Sequence, residues 1–118
     1  MQSETKSHVD WLTSPAGHAV AVLRFEGDIA STSKEAVLGA YQALPKENKL
    51  FLLDFTKVEY INSSGIALVI QLLIEASNAG QKVCAYGLSA HFSKVFTMVG
   101  IPNYAQLYSS QDEALAAL

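Results

Sequence analysis

Apolar residues recur along this chain at two spacings, consecutive or alternate in short runs and three or four apart in longer ones, and the two patterns take turns. Residues 1–7 hold too little apolar content to pack and are expected as a frayed tail, which leaves residues 8–118 as the folded domain. Residues 9–13 predict a short strand and Ser14-Pro15-Ala16-Gly17 a tight reversal. Residues 18–26, rich in Val, Leu and Phe, complete an antiparallel hairpin that Gly27-Asp28 ends. Ala36, Val37, Ala40, Tyr41 and Leu44 then recur at helical spacing, with Thr32 and Glu35 placed for reciprocal capping and Pro45 as a stop.

Leu50-Phe51-Leu52-Leu53 is continuously apolar, the pattern of a strand covered on both faces, and Asp54 marks its polar exit into a loop over residues 55–62. A second helix runs from Ser63 or Ser64 to about Asn78, with Ile66, Val69, Ile70 and Leu73 as its sheet-facing stripe. Residues 83–86 form the next strand. A helix near residues 89–99 follows, with Phe92, Val95, Phe96 and Val99 inward, then a strand at 105–108 and a last helix capped by Ser110 with Glu113. Strands alternating with helices predict an α/β domain with a mostly parallel mixed sheet, one antiparallel edge hairpin and about four helices, because parallel neighbours need crossover connections.

With 118 residues, half of them hydrophobic, the chain suits one domain. Its net charge of −3 comes from 8 basic and 11 acidic side chains with no Lys/Arg cluster, which disfavours nucleic acid. A single cysteine, Cys84, sits in an apolar run, so neither an internal disulfide nor a cysteine-rich metal site can form. His8, His18 and His91 lack metal-ligand spacing, and no cofactor motif is present. The polar N-terminus lacks a secretion signal and the apolar runs are too short to cross a bilayer, so a soluble, cytoplasmic protein without membrane insertion is expected.

The chemistry concentrates at Asn62-Ser63-Ser64-Gly65, a helix mouth. Backbone N–H groups there lack intrahelical partners and the aligned peptide dipoles favour negative charge, so a serine can cap or carry phosphate. Asn, Ser and Gly also serve plain capping, and four residues alone do not separate the two uses. Neither serine lies in the Gly-x-Ser-x-Gly elbow of a hydrolase, so no catalytic residue is expected. Leu68 and Leu72 fall beside Gln71 and Glu75, on a face neighbouring the apolar stripe; they are candidate interface residues unless a further helix covers them.

The string from Leu52 through Asp54, Asn62, Ser63, Ser64 and Gly65 to Ile66 resembles the signature of the sulphate-transporter and anti-sigma-factor-antagonist (STAS) family. The resemblance implies a STAS domain, with Ser63 as the phosphate acceptor and Asp54, Asn62, Ser64 and Gly65 as support for its loop. Ser64 is expected to act mainly as a cap. It further implies an anti-sigma factor antagonist that binds an anti-sigma factor/serine kinase when unphosphorylated, leaves it when phosphorylated, and is reset by a PP2C-type phosphatase. Asp28, Leu68 and Leu72 would carry the docking surface, and a homo-oligomer is possible but not required. The family usually has Asp where this chain has Asn62, and a second acidic residue where Ala30 stands. The alternative implication is a STAS scaffold, never phosphorylated, in a signalling or transport assembly.

Overall fold

A computed structural model describes residues 4–118. Strand β1 (Lys6–Thr13) pairs antiparallel with β2 (Ala19–Ile29), and β2, β3 (Leu50–Ile61), β4 (Lys82–Tyr86) and β5 (Ala105–Tyr108) run parallel in the order β1-β2-β3-β4-β5. Three parallel steps in one direction, each with a right-handed crossover, place their helices on one sheet face. Those helices are α1 (Ala40–Gln42), entered through a 3-10 turn at Ser31–Ser33 and a π turn at Glu35–Gly39, then α2 (Ser63–Asn78) and α3 (Ala90–Met98). Helix α4 (Gln111–Ala116) follows β5 and covers the opposite face.

Two apolar layers result. The larger lies between the sheet and α1–α3, where the rings of Phe25, Phe55 and Phe96 pack in series at centroid distances of 5.5 and 5.6 Å. The smaller lies under α4 and contains Val20, Val22, Leu52 and Cys84. Residues 50–53 are thus covered on both faces, as their unbroken apolar run predicts. The radius of gyration is 13.0 Å, the size of one compact domain of roughly this length.

Several boundaries differ from the sequence reading. Lys6 and Ser7 are strand residues rather than tail, because they pair with Glu26 and Phe25; residues 1–3 of the expected tail lie outside the described residues. Gly27-Asp28 does not end β2. Register shifts flank this point and Gly27 adopts φ 87°, a left-handed conformation that glycine takes without steric cost, so a bulge lets the strand continue to Ile29.

Residues 55–61 are not a loop but the second half of β3. They pair only with the extended end of β2, since β4 stops opposite Asp54. This two-stranded ribbon projects past the sheet body with Thr56, Lys57, Glu59 and Tyr60 exposed, so it lost the apolar signal while keeping its ladder. Thr32 and Glu35 make no capping pair; Ser33 Oγ instead accepts the Ala30 N–H at 2.8 Å. Val99, expected inward, is 48% exposed just past the end of α3.

Candidate functional site

Helix α2 begins where β2 and β3 end together. The Asn62 N–H donates to the Ile29 carbonyl at 3.1 Å, which docks the helix mouth on the last residue of β2. A Cβ at Gly65 would lie 2.2 Å from that same oxygen, so only glycine allows the approach. Asn62, in extended conformation, caps α2: its Oδ1 accepts the Gly65 N–H at 2.9 Å. The expectation that Ser64 serves as the cap is therefore corrected. Ser63 and Ser64 occupy the first two helical positions, are exposed, and make no side-chain hydrogen bond among the described residues.

Asp28 stands half-buried one residue before Ile29, in register with Tyr60, and lines a cleft of about 420 Å³ with Glu4, Thr5, Thr32 and Glu35. The Thr5 hydroxyl donates to the Asp28 carbonyl and also bonds the buried Ser33 hydroxyl, which ties the start of β1 to this edge. Asp28, Asn62, Ser63, Ser64 and Gly65 thus meet at one rim of the sheet. Tyr60, half exposed and edge-on to Phe92 at 5.9 Å, belongs to the same rim. The sequence reading missed it, although an aromatic next to the acceptor segment was a usable signal.

Leu68 is half-buried and packs on the larger core. Leu72 is 1% exposed and belongs to the larger core, so its placement on a docking surface is corrected. Ile74, 41% exposed, is the large apolar side chain that α2 leaves in solvent.

Asp54 does not reach the acceptor segment. Its side chain lies on the α4 face of the sheet, where Oδ2 accepts from Arg24 Nη1 at 2.7 Å and Oδ1 accepts the Thr56 N–H at 2.8 Å and the Thr56 hydroxyl at 2.5 Å. Arg24 also donates Nε to Asp10 at 2.6 Å, and Nη1 to the Tyr86 hydroxyl at 2.9 Å. Burial works against the Asp54 carboxylate, but the Thr56 bonds, Arg24 and the neighbouring Tyr86 hydroxyl outweigh it and hold its pKa below the ordinary carboxylate value. Burial, reinforced by the Asp54 charge, pushes Tyr86 up to about 12. This cluster is structural, and its sequence signal was an arginine inside the apolar run from Val20 to Phe25, which burial permits only with partners.

Among the described residues, no group of three or more His, Cys, Asp or Glu side chains could hold a metal ion, and no helix is long and apolar enough to cross a membrane. The rim presents two accessible hydroxyls, those of Ser63 and Ser64, at the mouth of α2.

A mixed five-stranded sheet with helices α1–α3 on one face and α4 on the other is the fold of a STAS-type domain, and known structures share that fold. A sulfate transporter family protein from Wolinella succinogenes superposes with a TM-score of 0.73 at 17% identity, over 83% of this chain and 83% of the other. An anti-sigma factor antagonist from Mycobacterium paratuberculosis gives 0.69 at 19% identity, over 97% and 93%. The Bacillus cell fate determinant SpoIIAA in its phosphorylated form gives 0.67 at 17%, over 94% and 97%. At these identities the likeness concerns fold alone. The chain belongs to the STAS family: the family model described as "Mlab, STAS domain" matches residues 13–107. No curated protein sequence matches the chain significantly.

Proposed function

We propose that this STAS domain is a phosphorylatable binding module of the anti-sigma factor antagonist kind. It docks on an anti-sigma factor/serine kinase through the rim formed by Asp28, Leu68 and the mouth of α2, and is released when Ser63 receives phosphate. The observation that carries this reading is the division of labour at the mouth: Asn62 satisfies the capping role, so the exposed Ser63 hydroxyl is not committed to the fold. Phosphate there adds about −1.5 to −2 charges beside unpaired helix N–H groups, which the domain tolerates and a covering partner does not. The phosphorylated Bacillus determinant, which shares this fold, is consistent with that tolerance.

In this reading the protein is a cytoplasmic kinase substrate rather than an enzyme, and a PP2C-type phosphatase restores it. The test is phosphate incorporation and partner affinity in variants. Ser63→Ala blocks incorporation while keeping the partner, and Ser63→Glu weakens binding. Stoichiometric phosphorylation of Ser63→Ala by the cognate kinase rejects the assignment.

A second reading, a STAS module of a transport assembly that is never phosphorylated, is favoured by Asn62 in place of the family's usual Asp and by the Wolinella transporter-family match. Its signature is absence of phosphate in cells together with partner binding that Ser63→Glu does not alter.

A further inference from the structure

We propose that α4 is a detachable cover, opening while the rest of the domain stays folded and bringing the sheet face beneath it, Cys84 included, into solvent. The helix has six residues, well short of the roughly 12–15 that an isolated helix needs in water, so its stability comes from what it packs on. That contact is small: Ala114 and Leu118 are its buried apolar contributors, set against Val20, Val22, Leu52 and Cys84, each at 0% exposure. Helix α2, by comparison, buries Val69, Leu72, Leu73 and Ala76 in the larger core.

Leu115 and Ala117 pack half-buried on the same layer, and the polar ties of α4 sit at its two ends. Gln111 Oε1 accepts from Arg24 Nη2 at 3.0 Å and from the Tyr86 hydroxyl at 3.1 Å. Lys82 Nζ donates to the Ala117 carbonyl at 2.8 Å, and His18 Nδ1 lies 3.0 Å from the Leu118 carbonyl. Water replaces such bonds at modest cost, so they orient α4 more than they hold it. An element with few fully buried apolar side chains, and polar ties that are exposed or only partly buried, belongs to the low end of the local-opening spectrum. The larger core and the five-stranded ladder do not depend on it. Opening therefore exposes the sheet face opposite the one packed under α1–α3, whether or not Ser63 is phosphorylated.

Cys84, the single cysteine, is the reporter. Its thiolate attacks the aromatic disulfide 5,5′-dithiobis(2-nitrobenzoate), forming a mixed disulfide and releasing one coloured thionitrobenzoate. At 0% exposure, reaction requires an opening. The expected result is a labelling rate in native protein that barely changes with urea below the unfolding transition, since a local opening exposes little surface. Leu118→Ala raises that rate about tenfold or more, and Gln111→Ala raises it in the same direction. Phe96→Leu, which weakens the core on the other face, leaves the urea-independent rate unchanged. The proposal is overturned if native Cys84 does not label. It is equally overturned if the rate follows urea with the slope of global unfolding and the three variants change it only in proportion to their global destabilisation.

Discussion

The Ile29 carbonyl and Gly65 Cα are packed so tightly that a β-carbon on residue 65 would fall 2.2 Å from the oxygen. This contact, with the Asn62 N–H on the same oxygen, makes the end of β2 and the start of α2 one mechanical unit. Asp28, one residue before Ile29, and Ser63, one residue after Asn62, are therefore held in a fixed relation.

Gly65→Ala should lower stability by about 1–3 kcal/mol, as overpacking against backbone does. The same variant should reduce phosphorylation of Ser63 beyond what the stability loss explains, since the helix mouth must shift. Urea denaturation with kinase assays below the transition checks both.

Assigning the cap to Asn62 separates it from its neighbours. Asn62→Ala should cost about 1 kcal/mol, Asn62→Asp should keep the cap, and Ser64→Ala should stay within about 0.5 kcal/mol of wild type. A thermal or urea series over the three variants reads the order. A loss on Ser64→Ala equal to that on Asn62→Ala would contradict the geometry.

Leu72 and Ile74 lie two residues apart on α2 in opposite environments. Leu72→Ala should destabilise by about 2–5 kcal/mol, whereas Ile74→Ser should remain within about 0.5 kcal/mol. Chemical denaturation decides the point, and loss of partner binding on Leu72→Ala should follow its stability rather than a local contact.

Asp54 titrates below the ordinary carboxylate value in the folded protein, so the unfolded chain binds its proton more readily. The carboxylate's contribution to stability is fully present above the unfolded value of about 3.9 and is lost as pH falls through the lower folded value. Asp54→Asn should flatten the acid limb of the stability profile below about pH 4. Arg24→Ala should cost about 3–5 kcal/mol by leaving Asp54 buried without its cation, while Asp10→Asn, whose carboxylate is half exposed, should cost about 1 kcal/mol or less. Urea midpoints measured across pH for the three variants test this.

Local pattern carried a good deal of the architecture. The unbroken apolar run at residues 50–53 required cover on both faces, the helical stripes of α2 and α3 required a sheet to pack on, and the reversal at Ser14–Gly17 required a hairpin; each requirement is a property of neighbours in sequence. The Asn-Ser-Ser-Gly segment was legible as a helix mouth for the same reason. Which residue caps, which leucine is buried and which carboxylate faces which side of the sheet are decided by groups distant in the chain. Ile29 places Gly65, the larger core takes in Leu72, and Arg24 with Thr56 holds Asp54 on the face away from Ser63. The projecting ribbon of β2 and β3 has the same origin, because a ladder of main-chain bonds extends wherever its partner does, whatever side chains it carries.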